Sequence, residues 1–409
     1  MSEKKSTWII KFLILLIVFC ADIANLVMPV LSNLSQIYPS VPENIIIMAN
    51  TMHYLTGIPT SMFCAALCRK WGTKKMVLIS MLLQGLGGAI PVIFSSFSMV
   101  LVSRALFGLG WGILMTTPLT LVGEYLPLSE QAGFVGIVMA IMALGASVFT
   151  MLGGALSDAN IVLVWLTHLL SVAFCIPVIL YFPKNRGSNI GQPGKEETKA
   201  PKGKTRIPVA FYILFVLNII LSGVTMQGMN MISFFVEDKG LGGATLAASI
   251  LTAFQVASFI SGFIAGFCVK TMKKFTALVS CALCGAFLIG FGLSASVAML
   301  FISQVLFGLA SNVVNSLMYV HNSWVVPAES MDIATSITSG GTMGAGFFLV
   351  YIPPVICQLL GFGNNYTVQY IIIGAVYVLI GVAFTALLHA KGVKENVDKV
   401  LAESYGTAS

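Results

Sequence analysis

Apolar residues gather in long runs along the chain, separated by shorter polar stretches. The runs cover, approximately, 8–31, 44–68, 76–94, 98–121, 133–156, 161–182, 208–235, 244–268, 275–294, 297–320, 333–360 and 367–390. A helix needs roughly 20 apolar residues to cross about 30 Å of hydrocarbon, and each run is about that long. In lipid the backbone polar groups are satisfied only inside helices or closed barrels, and runs of this length read as helices. The pattern therefore predicts an all-α polytopic membrane protein with twelve transmembrane helices. Several of the polar breaks are very short, which makes neighbouring helices antiparallel hairpins.

Composition narrows the class. The chain has 409 residues, 57% of them hydrophobic and 9% charged. A soluble domain carries about 25% charged residues. The deficit excludes an ordinary cytosolic enzyme, a disordered chain and a nucleic-acid binder. The net charge of +7 does not restore the last of these, because the basic residues sit in short clusters between apolar runs. Those clusters set the orientation, since cytoplasmic loops carry the excess of Lys and Arg. With both termini in the cytoplasm, the cytoplasmic segments hold all but two of the 22 Lys and Arg residues. The two are Lys239, which falls outside, and Arg104, which falls within the membrane. A multi-pass protein of the cell membrane is expected.

Lys4 and Lys5 followed by an apolar run to Cys20 imitate a signal peptide. The run continues to Leu31 without a small-x-small cleavage site, so it reads as a retained first helix. All eight cysteines lie in or beside apolar runs. Cys281-x-x-Cys284 and the pair Cys64 and Cys68 read as small packing residues, and no disulfide framework is implied. The Gly-rich stretch Gly340 to Gly346 lacks the Lys-Ser/Thr ending and strand-to-helix setting of a phosphate loop. With no zinc motif and no hydrolase elbow either, no enzyme, metal or cofactor is expected.

The segment 183–207, PKNRGSNIGQPGKEETKAPKGKTRI, is the one long polar interior stretch. Its Pro, Gly and basic residues read as a flexible cytoplasmic linker. It divides the chain into an N-terminal six-helix bundle, 1–182, and a C-terminal one, 208–409, with a short cytoplasmic tail. The halves are related. Shifted by 200 residues, Ser103-Arg104-Ala105-Leu106-Phe107-Gly108-Leu109 falls on Ser303-Gln304-Val305-Leu306-Phe307-Gly308-Leu309, with five of seven positions identical. In the same register Pro127 meets Pro327, Lys70 meets Lys270, Lys74 meets Lys274, and the acidic stretch Glu124 to Glu130 meets the one around Glu329. Parallel six-helix repeats about an axis normal to the membrane are a transporter architecture, with the substrate site at the repeat interface. Two pseudo-symmetric six-helix bundles are expected.

Three local patterns sharpen the reading. Between the second and third runs stands Ala65-Ala66-Leu67-Cys68-Arg69-Lys70-Trp71-Gly72-Thr73-Lys74-Lys75. The fourth run holds Arg104-x-x-x-Gly108-x-Gly110-x-Gly112. The fifth holds Gly145 and then Phe149-Thr150-Met151-Leu152-Gly153-Gly154. These resemble the major facilitator superfamily, in its drug/proton-antiporter-like branch with degenerate motifs, over nearly the whole chain. The family loop reads G-x-x-x-D-R-x-G-R-K. Here the central Gly72 and the basic Arg69, Lys70, Lys74 and Lys75 stand, while Arg69 occupies the place of the Asp and Ala65 that of the first Gly. The resemblance implies a conformational role for this loop. It implies proton coupling or anion holding for Arg104. The fifth-helix pattern G-x-x-x-G-P-x-x-G-G keeps its closing glycine pair but lacks the Gly-Pro core, which leans away from drug/proton antiport.

A charge at bilayer depth is costly and marks function by default. Asp22 and Arg104 are the clear cases. At 1.5 Å per residue, Asp22 lies roughly 20 Å above the start of a rising helix and Arg104 roughly 10 Å below the top of a descending one, so both reach one level. A pair between them is sterically plausible, either forming and separating in proton coupling as the bundles rock or standing as a permanent ion pair that locks the bundle. His53 is placed with them as a proton relay or as a hydrogen-bonded interface residue. His168 reads as packing, on a helix that is peripheral in the family fold. Gln304, Ser311 and Asn315 share one helical face, with Asn312 adjacent. With Asn25, Trp111, Gln227, Asn230 and Phe234 they are expected to line a substrate cavity whose apolar walls suit an amphipathic solute. The same amides would also serve to glue helices together.

The leading expectation is a secondary active transporter of a small organic solute, amphipathic or anionic, driven by protons. Multidrug efflux by proton antiport stays open. So, more distantly, do a membrane subunit of an ATP-driven complex and a non-transporting sensor or scaffold. The expected partners are the solute, protons and the lipid bilayer, with the chain acting as a monomer.

Overall fold

A computed structural model describes residues 3–182, 207–327, 330–391, 393–395 and 397–399. The expected linker, apart from residue 207, and Glu329 lie outside the described residues. Among the described residues every regular element is helical. In the first half, α1 covers Trp8–Ile37, α2 43–71, α3 Thr73–Val92, α4 Phe97–Tyr125, α5 Leu128–Ala159 and α6 Ile161–Tyr181. In the second, α7 is Val209–Asn230 with its continuation Ile232–Asp238, α8 Ala244–Met272, α9 Thr276–Gly292 and α10 Val297–Val325. Then come α11, Met331–Phe348 with its continuation Ile352–Leu359, and α12, Tyr366–His389. Each apolar run of the sequence falls on one of these helices or helical runs.

Ten segments of the described residues are long and apolar enough to cross a membrane. One is the 49-residue stretch Ala244–Gly292, which contains both α8 and α9. The run missing from the set is α2. Asn50, Thr51, His53, Thr56, Thr60 and Ser61 dilute its apolar character, and its helix is interrupted at Ile47 and at Phe63, four residues after Pro59. Four helices outrun their apolar cores: α4, α8 and α10 have 29 residues each and α5 has 32. At 1.5 Å per residue that is more than 40 Å, against about 30 Å of hydrocarbon, so their polar ends keep helical backbone beyond the apolar layer.

The described chain forms two compact units. One holds α1 to α6 together with Ile232–Thr252, and the other holds the remainder. Compactness thus departs from the sequence halves in one segment, the end of α7 and the start of α8. The contacts within the first unit explain it. The Asp158 carboxylate at the end of α5 accepts hydrogen bonds from the backbone N–H groups of Ala244 at 3.0 Å and Thr245 at 2.8 Å. These are donors that the first turn of a helix leaves unmet. One turn back, Gly154 lies so close to α8 that a Cβ there would stand 2.4 Å from the Ala248 Cβ. Ile232–Asp238 packs on Leu31–Ile37, and Gln36 hydrogen-bonds Glu237.

The internal repeat is visible within each unit separately. In the first, a Cβ on Gly108 of α4 would sit 2.5 Å from the His53 carbonyl of α2. In the second, a Cβ on Gly308 of α10 would sit 2.7 Å from the Phe254 carbonyl of α8. Ser96 and Ser296 stand at the N-caps of α4 and α10. The turn after the second helix of each half needs a left-handed residue. Gly72 supplies it at φ 85°, and Lys273 adopts φ 50° in the other half.

Candidate functional site

Inside the first unit a group of polar side chains is sealed within an otherwise apolar bundle. It begins where α1 changes character. The α-helix Glu3–Ala21 gives way to 3-10 turns at Asp22–Leu26 and Met28–Val30. Pro29 has no N–H to donate back along the helix, which favours a break here. Gln84 of α3, fully buried, braces the junction: its amide donates to the carbonyls of Cys20 at 2.8 Å and Ala21 at 3.4 Å. Cys20 Sγ lies 3.1 Å from the Ser171 hydroxyl, which donates to the Met81 carbonyl. The Asn25 side chain donates to the Asp22 carbonyl at 3.0 Å. Asn25 therefore braces the same turn.

Asp22 is buried, and its side chain lies against α5. A Cβ on Gly145 would stand 2.6 Å from Asp22 Oδ2, so the glycine is what leaves room for the carboxylate. That oxygen has no hydrogen-bond partner. Arg104 of α4 is fully buried on a different set of neighbours. Its guanidinium sits 4.2 Å over the Phe107 ring, and Nη1 lies 3.1 Å from His168 Nε2. Nε and Nη2 have no hydrogen-bond partner. The ion pairs of the described residues are Lys11–Glu130 and Lys274–Asp398, so the Asp22–Arg104 pair is not formed. Depth along the membrane normal made it sterically plausible. Direction around the helix decides otherwise: Asp22 faces α5, and Arg104 faces Phe107 and α6.

His53 joins the aromatic cluster beside Arg104. Its ring lies 5.9 Å from Phe107, 4.9 Å from Trp111 and 4.1 Å from Tyr54, and its Nδ1 has no hydrogen-bond partner. Trp111 is buried between α2 and α4, where a Cβ on Gly57 would meet it at 2.8 Å. Phe234 is also buried in this unit, on the segment gathered from α7.

The remaining expected lining residues belong to the second unit. Gln227, Asn230, Gln304 and Ser311 are buried, Asn312 is half-buried and Asn315 exposed. Gln304 donates to the Met229 sulfur at 3.4 Å, and Ser311 to the Gly308 carbonyl at 3.4 Å. The amide face of α10 thus passes from helix contact to accessible surface along its length. Gln304 replaces, in the repeat, the buried charge of Arg104.

The loop between α2 and α3 has its own geometry. Arg69 and Lys70 occupy the last turn of α2, where cations offset the partial negative charge of a helix end. Gly72 makes the left-handed turn and Lys75 is exposed. Lys74 reaches back to α6, donating to the carbonyls of Ile179 at 2.7 Å and Phe182 at 3.4 Å. Its repeat partner Lys274 likewise ties its loop to the end of its half, through Asp398 at 2.5 Å.

Residues 12–294 match the Major Facilitator Superfamily. The chain belongs to that superfamily. Among curated members it is 27% identical to a hexuronate transporter of Bacillus subtilis over 268 residues, 56% of this chain and 59% of that protein. It is 31% identical to an efflux pump of Ustilaginoidea virens over 106 residues, 26% of this chain and 19% of that one. The matched stretches thus span less than two thirds of these relatives. Among solved structures, a bacterial homologue of the human lysosomal transporter Spinster, inward-facing and unoccupied, superposes with a TM-score of 0.73 at 13% identity, covering 98% of this chain and 99% of that one. The D-xylose–proton symporter does so with a TM-score of 0.69 at 14% identity, covering 94% and 97%. This superfamily member has the fold of both. The sequence reading does not single out Gln84 or Ser171, takes Gly145 only as part of the fifth-helix pattern, and reads His168 as packing alone. A buried amide in the middle of an apolar run was the available signal for Gln84.

Proposed function

We propose that the protein is a secondary active transporter that moves a small organic anion by alternating access, coupled to protons. The observation carrying this reading is the unpaired buried charge of the first unit. Arg104 is sealed from solvent with no carboxylate beside it and with its Nε and Nη2 unpartnered. A charge at the bilayer centre costs at least about 2.5–3.5 kcal/mol, and such residues mark substrate and proton pathways. A guanidinium edge matches a carboxylate in bidentate fashion. The relative named a hexuronate transporter fits a cargo with a carboxylate. Asp22, held against Gly145 without a cation beside it, is the proposed proton carrier. A carboxylate in such a place is least costly when neutral and must ionise to release its proton. His53 stands in reserve as a relay. Within the first unit the apolar Trp111 and Phe234 would wall the solute. The proposed setting is the cell membrane, with both termini in the cytoplasm and the chain acting as a monomer. Efflux of an amphipathic anion is the second reading, favoured by the stretch that resembles an efflux pump.

The test uses purified protein in proteoliposomes with an imposed pH gradient, offering radiolabelled D-glucuronate and neutral D-glucose in parallel. Gradient-driven glucuronate movement that exceeds glucose movement is expected. Asp22→Asn should keep counterflow exchange and lose gradient-driven accumulation. Arg104→Lys should lose most glucuronate transport although the charge is kept. Full gradient-driven transport in well-folded Asp22→Asn would remove the carboxylate from coupling, and equal movement of glucose and glucuronate would remove the anion.

A further inference from the structure

We propose that His168 is a positioning residue: the neutral, Nδ1-protonated form of its ring holds the Arg104 guanidinium by Nη1 and so presents the Nε–Nη2 edge to an anionic group. The donor and acceptor roles are fixed by chemistry on both sides. His168 Nδ1 lies 3.0 Å from the Val164 carbonyl, which can only accept, so Nδ1 carries a proton. Arg104 Nη1, 3.1 Å from Nε2, can only donate, so Nε2 offers a lone pair. A second ring proton would set N–H against N–H.

The surroundings hold the ring in place. It stacks on Trp165 at 5.9 Å and meets the edge of Phe107 at 5.5 Å. Gly88 leaves the space it occupies: a Cβ there would stand 2.3 Å from His168 Cδ2. Phe107 serves both partners, since the guanidinium lies 4.2 Å above the same ring. With Nη1 engaged and one face covered, Nε and Nη2 remain. These two nitrogens form the side of the fork that takes a carboxylate with two parallel hydrogen bonds. The functional part of the inference rests on the reading of Arg104 as the anion holder; the hold itself does not.

Ring-15N-labelled histidine in the full chain, in lipid nanodiscs at pH 7, decides the hold. The protein has four histidines. Single His53→Gln, His321→Gln and His389→Gln substitutions assign the other three resonances and leave His168 by subtraction, so no variant of His168 itself is needed. The expected spectrum is a neutral His168 protonated on Nδ1. Protonation on Nε2, or a doubly protonated ring, overturns the proposal. Transport then tests the consequence. His168→Leu should raise the KM for D-glucuronate about tenfold, as loss of one hydrogen bond to a charged group would, with kcat within about twofold. His168→Gln, whose amide oxygen can accept from Nη1, should recover most of the loss. A fall in kcat with KM unchanged, or no recovery with Gln, means that His168 only packs. A wild-type protein that moves no glucuronate overturns the anion reading, while the spectrum still decides whether His168 holds Arg104.

Discussion

Gln84→Leu is the most direct probe of how the site is built. The side chain is fully buried and donates to two carbonyls at the point where α1 leaves α-helical geometry, at 2.8 Å to Cys20 and 3.4 Å to Ala21. Leucine keeps the approximate volume and removes both donors. Hydrogen bonds inside membrane proteins average about 0.6 kcal/mol in double-mutant cycles and reach about 1.7. The short bond belongs near the upper figure and the long one near the lower. The two together come to about 2 kcal/mol, a factor of about 30 in the folded-to-unfolded ratio. Reversible unfolding of the reconstituted protein by denaturant titration measures this. Because the brace sets the turn that carries Asp22, proton-driven accumulation should fall further than exchange does. Gln84→Leu with wild-type stability and full accumulation would refute both the brace and its link to Asp22.

Gly145→Val should weaken proton-driven transport and destabilise the fold by about 1–3 kcal/mol, as overpacking does, because the first added carbon would already stand 2.6 Å from Asp22 Oδ2. Transport and unfolding measured on one preparation check it, and a silent variant would place Asp22 elsewhere. Asp158→Ala removes the acceptor of two backbone N–H groups and should cost about 0.5–2 kcal/mol, the range for a lost helix cap, with hydrogen exchange rising first at Ala244 and Thr245. Lys74→Met should lower the thermal midpoint and Lys75→Met should leave it in place, since only Lys74 reaches the α6 carbonyls.

The helices were legible because each apolar run is long and bounded by polar residues. Their ends were not. Residues such as Glu124 and Tyr125 close the apolar run, yet α4 continues through them, since a helix outside hydrocarbon needs no apolar side chains. The repeat was legible from one heptapeptide and a few flanking positions. The buried charges were equally plain, but their partners were not. Residue counting gives height at 1.5 Å per step, and it is silent on which neighbour a side chain meets after α1 tightens into 3-10 turns at Asp22. The packing role of Gly145 and the hold of His168 depend on those directions. Nothing in the composition of Ile232–Thr252 signalled that it would pack with the first unit.

That segment bears on how the protein is made. The first unit draws part of its packing from residues that follow the linker and most of α7, so on the ribosome it cannot be complete when its own six helices have emerged. Until Ala244 and Thr245 are synthesised, the Asp158 carboxylate lacks its two backbone donors and Gly154 faces no neighbour from α8. The last step in maturing the first half therefore waits on translation of the second, and a nascent chain released between 182 and 232 would present an unfinished surface to the insertion and quality-control machinery.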